Sequence, residues 1–177
     1  MRIHQISETS FWQKAVVFSA VACVTMCSAP ALHAQKANFS GDWKLNEAKS
    51  NLGQFARMTP RKLKVDGQKD SLSIQRFSTS PDGNEVTYNE KLSFDGKEAE
   101  STVFGNSKKK STAKWSDDGQ SLTVNSTIVF EREGQSFEVK VVEVWKLAEA
   151  GKVLSLESTS TSQMGTNTTN LVFDKAG

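Results

Sequence analysis

Leu122-Thr123-Val124-Asn125-Ser126-Thr127-Ile128-Val129-Phe130, resumed after Glu133-Gly134 by Phe137-Glu138-Val139-Lys140-Val141-Val142-Glu143-Val144-Trp145-Lys146-Leu147, decides how the chain folds. Leu122, Val124, Ser126, Ile128 and Phe130 share one phase of a two-residue period. Phe137, Val139, Val141, Glu143, Trp145 and Leu147 share one phase of the second run. Successive strand residues point to opposite faces, so this alternation predicts a long antiparallel hairpin with one apolar face. A slip of one residue would reverse every inward and outward assignment, so this hairpin also sets the register expected of its neighbours.

Outward from it, turn signals recur at Pro81-Asp82-Gly83-Asn84, Asp95-Gly96, Asp117-Asp118-Gly119 and Ala150-Gly151. They divide the chain into about ten strands, near 40–46, 61–67, 71–78, 85–93, 97–104, 109–116, 120–132, 136–148, 152–161 and 167–174. Short connections predict pairing in sequence order, and so long a meander exposes two edges unless it closes on itself. The expectation is an all-β, antiparallel up-and-down barrel of about eight to ten strands with a short helix or loop after the first. In the 46–60 segment, Asn46 is the expected cap of a short helix starting at Glu47, with Gly53 ending it over one end of the barrel. Trp43, Trp115 and Trp145 each stand beside a turn or strand end and read as core or plug residues.

Residues 1–34 read as a secretion signal. Arg2 and Lys14 form the basic region, 15–26 the apolar run, and Leu32-His33-Ala34 the cleavage site after Pro30. The apolar run is short of the roughly 20 residues a membrane span needs. That leaves residues 35–177 as one barrel domain, destined for a periplasm or the extracellular medium. His4, His33, Cys23 and Cys27 all lie in the leader, so the remaining chain has no Ser-His or Cys-His nucleophile pair. A metal would have carboxylates alone, and no glycine-rich phosphate loop is present, so neither metal nor cofactor is expected. The formal net charge is +2, and +1 once Arg2, Lys14 and Glu8 are set aside. Such a balance gives no long-range field for nucleic acid.

Phe39-Ser40-Gly41-Asp42-Trp43-Lys44-Leu45-Asn46 resembles the Gly-x-Trp opening strand of lipocalins and fatty-acid-binding proteins, the calycin-type barrels. Together with Lys49-Ser50, Ser111-Thr112-Ala113-Lys114-Trp115 and Leu171-Val172-Phe173-Asp174-Lys175, it is similar to uncharacterised bacterial lipocalin-like proteins. The resemblance implies a barrel-end role for Gly41 and Trp43 and an interior that binds a small hydrophobic or amphipathic molecule. Two points depart from the pattern. Lipocalins commonly pack a basic residue over the opening tryptophan, for which Lys175 is the nearby candidate. The Arg-x-Tyr pair by which fatty-acid-binding proteins hold a carboxylate is missing, and Tyr88 is the sole tyrosine.

Several charged residues fall in apolar phases. Glu143 shares the phase of five apolar residues, Glu90 that of Val86, Tyr88 and Leu92, Arg76 that of Leu72 and Ile74, and Arg132 that of Ile128 and Phe130. A buried carboxylate is costly unless paired or wetted. Three roles remain open: a structural ion pair (Glu143 with Arg132 across one turn), a polar cluster that orients a ligand, or a general base. The ligand-binding candidates are Arg76, Tyr88, Glu90, Phe130, Arg132, Glu143 and Trp145, with no catalytic residue assigned. Ser126, Ser158, Ser160 and Thr169 fall in inward phases and leave room inside. Lys108-Lys109-Lys110 reads as a solvated turn or edge protection, with contact to anionic lipid as the alternative.

The preferred reading is an exported, non-enzymatic barrel that binds a small, partly hydrophobic molecule. One alternative is a barrel isomerase or hydrolase that uses Glu143 or Glu90 beside an arginine. The other is an envelope interaction protein with a filled interior and an exposed apolar patch.

Overall fold

A computed structural model describes residues 35–80, 83–132 and 134–177, apart from the side chains of residues 54, 55, 58 and 132. The leader read over residues 1–34, the Pro81-Asp82 part of one turn, Glu133 and the side chain of Arg132 lie outside the described residues. Ten strands follow one another: β1 (Gly41–Leu45), β2 (Lys62–Gly67), β3 (Ser71–Thr79), β4 (Glu85–Ser93), β5 (Ala99–Val103), β6 (Ser107–Trp115), β7 (Ser121–Arg132), β8 (Gln135–Ala148), β9 (Val153–Ser162) and β10 (Gly165–Lys175). They form one sheet in the order β4-β3-β2-β1-β10-β9-β8-β7-β6-β5. All neighbours are antiparallel, and β1 returns to β10, as an up-and-down barrel requires.

The register follows the alternation. Leu122 faces Trp145, Val124 faces Glu143, Ser126 faces Val141 and Phe130 faces Phe137 across β7 and β8. Leu122, Val124, Ser126, Ile128, Glu143 and Trp145 are buried, which puts their phase inside.

Closure differs from the expected continuous ladder. β4 and β5 stand at the two ends of the strand order and share no hydrogen-bonded ladder, so the barrel is nearly closed and carries a seam. In the intervening turn, Asp95 Oδ1 accepts from the Ser93 hydroxyl at 2.6 Å and from the Lys97 backbone N–H at 3.0 Å. Asp118 accepts the same two bonds, from the Ser116 hydroxyl and the Gln120 N–H, in the turn between β6 and β7, which do pair. This turn chemistry is therefore compatible with a ladder and does not itself open the seam.

The segment after β1 also differs in detail. Asn46 does cap a short helix, Glu47–Lys49, accepting from the Lys49 N–H at 3.1 Å, but the helix is a single 3-10 turn. Gly53 opens a second 3-10 helix (Gly53–Met58) rather than ending the first, and its φ of +59° suits glycine. Thr59 and Pro60, which follow it, reach the barrel interior.

The opposite end is plugged. Phe39 stacks on Trp115 with centroids 5.5 Å apart and meets Trp145 edge-on at 5.8 Å. Trp43 donates its indole N–H to the Phe39 carbonyl at 2.9 Å, and Lys175 Nζ sits 5.3 Å above the Trp43 ring. Lys175 thus occupies the position that the calycin pattern gives to a basic residue. Gly41 explains the spacing: a Cβ there would lie 2.8 Å from Lys175 Cε, and its φ of +142° is one that L side chains rarely adopt. Leu63, Leu72, Leu92, Leu122, Val124, Leu154, Leu156 and Phe173 fill the space around this plug.

Gly41→Ala should therefore lower stability by about 1–3 kcal/mol, chiefly through backbone strain. Urea unfolding of the variant beside the wild type checks this. An unchanged midpoint would mean the close Lys175 approach is not required.

Candidate ligand site in the barrel interior

Between the plug and the far end, four charged side chains meet inside the barrel. Arg76 on β3 donates from Nε to Glu90 Oε1 on β4 and from Nη2 to Glu143 Oε2 on β8, both at 2.7 Å. Lys109 on β6 donates to Glu90 Oε2, also at 2.7 Å. Trp145 supports the cluster from below: its N–H reaches Glu143 Oε2 at 3.2 Å, and the Arg76 guanidinium lies 5.5 Å from its ring centroid. All four charged residues are at most 8% exposed.

The alternation accounts for the meeting. Each member lies in the inward phase of its strand, and on β3 and β6 it stands where apolar residues give way to polar ones. On β3 the inward run is Leu72, Ile74, Arg76, Ser78, and on β6 it is Ala113, Ser111, Lys109 in the reverse direction. Ser111 and Ser126 share a hydrogen bond of 2.9 Å near this layer.

Burial on its own would push the Glu90 carboxyl upward. Arg76 and then Lys109 outweigh it and hold Glu90 down, at about 2 against an ordinary 4.5. Burial opposes the charge on Arg76 in the same way, but Glu143 and Glu90 more than compensate and raise its pKa.

Above this floor lies a cavity of about 330 Å³, within the size range of small-molecule sites. One wall is a ladder of rings. Tyr88 meets Phe104 at 5.3 Å, Phe104 stacks on Phe130 at 5.9 Å, and Phe130 stacks on Phe137 at 5.3 Å. Phe104 holds a left-handed φ of +48°, a conformation costing about 1 kcal/mol or more for a side chain of this kind. Its contact to Tyr88 bridges the seam. Burial raises the Tyr88 phenol, opposed by a hydrogen bond from the Phe104 backbone, so it remains a neutral hydroxyl. Ser158, Ser160, Asn167 and Thr169, from β9 and β10, give the facing wall its polar groups.

Of the residues singled out in the sequence, Arg76, Tyr88, Glu90, Phe130 and Glu143 line this cavity. Trp145 is fully buried beneath it and touches it only through Glu143 and Arg76. Glu143 takes Arg76 as its partner rather than Arg132. The backbone of Arg132 pairs with Gln135 at the hairpin tip, eight residues along β8 from Glu143, about 26 Å at the rise of a strand. Lys109 corrects the reading of the lysine run as a solvated turn. It lies inside β6 and is 5% exposed, while Lys110 on the outer face pairs with Glu98 and Glu100. Its signal was available: Lys109 falls in the same phase as Ser111, Ala113 and Trp115.

No protein-family model and no curated protein matches the chain. Among solved structures, zebrafish ileal bile acid-binding protein complexed with cholic acid aligns with a TM-score of 0.51 at 18% identity, covering 78% of this chain and 98% of that one. The likeness, with the observed strand order, makes the fold a calycin-type barrel.

Two outcomes follow for the charged layer. Arg76→Met leaves Glu143 without a cationic partner and should cost about 3–5 kcal/mol in chemical denaturation. Because the folded-state pKa of Glu90 is depressed, its contribution is fully present above pH 4.5 and is lost as pH falls toward about 2. Melting temperatures should therefore drop across that window, and Glu90→Gln should flatten the drop.

Proposed function

We propose that the protein is an exported, lipocalin-like carrier that holds a small, partly hydrophobic molecule inside its barrel and performs no catalysis. The observation that carries this reading is the cavity itself: aromatic on one wall, hydroxyl-bearing on the other, and floored by a satisfied ionic layer. An interaction scaffold would instead have a filled interior and a broad apolar patch. Among the described residues the exposed large apolar side chains are Phe137, Val142 and Met164. Two of these, Phe137 and Met164, border the cavity. Similarity to a barrel complexed with cholic acid supports an amphipathic ligand. The composition of residues 1–34 supports export to a periplasm or the medium.

The geometry gives little to a barrel enzyme. A general base works best with a pKa near the working pH, whereas Glu90 is held at about 2. Glu143 Oε2 is already occupied by Arg76 and Trp145.

A native mass spectrum of protein recovered from its own compartment, set against the denatured sample, tests both parts of the proposal. The expected result is a chain starting at residue 35 with an excess mass released on denaturation. Ser160→Trp projects a large ring into the cavity from a half-buried strand position. It should abolish the excess mass or weaken binding by about tenfold or more while the far-ultraviolet circular dichroism stays that of the wild type. Retention of the ligand in this variant would place binding elsewhere.

A further inference from the structure

We infer that the ligand held in this cavity is uncharged, an amphiphile whose head is a hydroxyl, carbonyl or ester rather than a carboxylate or an amine. The inference rests on the ligand-binding reading and deepens it. Its ground is a charge balance among the described residues lining the cavity. Those that carry charge are Arg76, Lys109, Glu90 and Glu143. They sum to zero, and each is already engaged by one of opposite sign at 2.7 Å. Among the described residues, a carboxylate entering from above would find no uncommitted cation. It would add a net negative charge to a buried layer or displace Glu90 or Glu143 from a preformed pair. An ammonium head would face the converse difficulty.

The layer nevertheless has hydrogen bonds to give. Arg76 uses Nε and Nη2, which leaves Nη1, and Lys109 has three donors of which one is committed to Glu90. Neutral donors are close by in Tyr88, Ser78 and Ser158. A neutral oxygen can accept from such groups without disturbing the charge balance. Ring faces from Phe104 and Phe130 take the apolar body.

The test is equilibrium dialysis of the full-length folded protein at neutral pH against two probes of equal chain length, decyl alcohol and decanoate. Decyl alcohol should bind more tightly by about tenfold or more, given the cost of an uncompensated buried charge. Glu143→Gln converts the floor to net positive and should shift the ratio toward decanoate by a similar factor. Lys109→Gln should shift it the other way. Decanoate binding as tightly as the alcohol in the wild type would overturn the inference and leave the carrier reading intact. Failure of both probes to bind would overturn the carrier reading for such amphiphiles, and this inference with it. If Glu143→Gln does not fold, the wild-type ratio still decides.

Discussion

Because β4 and β5 share no ladder, the closure of this barrel depends on how Glu90 is divided between two cations from different parts of the sheet. One carboxylate oxygen receives Arg76 from the neighbouring strand β3; the other receives Lys109, which reaches over β5 from β6. Along the sheet, β4 and β6 are separated by seven other strands, so the Lys109–Glu90 pair closes a circuit that backbone hydrogen bonds leave open. The Tyr88–Phe104 contact joins the same two halves nearer the mouth. Side chains here do what the ladder does elsewhere around the barrel. Isolated buried ion pairs are weak evidence of stability, since desolvation offsets their attraction. In this layer every charge has a partner; the loss of Arg76 would strand Glu143, and the loss of Glu90 would strand Lys109.

Much of this was legible in the sequence, and the part that was not has a physical explanation. Strand positions, the Asn46 cap and the inward phase of Arg76, Glu90 and Glu143 follow from local patterning that the chain states outright. Pairing does not. Arg132 is the nearer arginine to Glu143 in sequence, yet hairpin geometry sends it to the tip, while Arg76 reaches Glu143 from 67 residues away across the interior. Lys109 was obscured by the lysines on either side, which suggest a solvated run although alternation puts the middle one inside. The seam was equally hidden, because Asp95-Gly96 reads as an ordinary hairpin turn and the missing β4–β5 ladder shows only in the strand pairing.

Stability does not account for the charged layer, since well-packed apolar residues of similar volume usually serve a core as well or better. The lower half of this same barrel is such a core, with Leu72, Leu92, Val124 and Leu154 each almost fully buried. On β3, β4, β6 and β8 the inward residue becomes charged at one common level, above which the interior stops being filled. The layer therefore marks where packing ends and the cavity begins.

Trp145 ties that boundary to the plug below. Its N–H fixes Glu143, its ring underlies the Arg76 guanidinium, and its edge meets Phe39, which Trp43 in turn holds through the Phe39 carbonyl. A polar group is positioned well when its own rotamer is locked by packing and by a second set of hydrogen bonds. Arg76 and Glu143 meet both conditions, so the cavity floor is ordered by the protein's own contacts. The Gly-x-Trp strand, remote from the cavity, is thereby tied to its floor through the Trp43–Phe39 hydrogen bond and the edge-on Phe39–Trp145 contact.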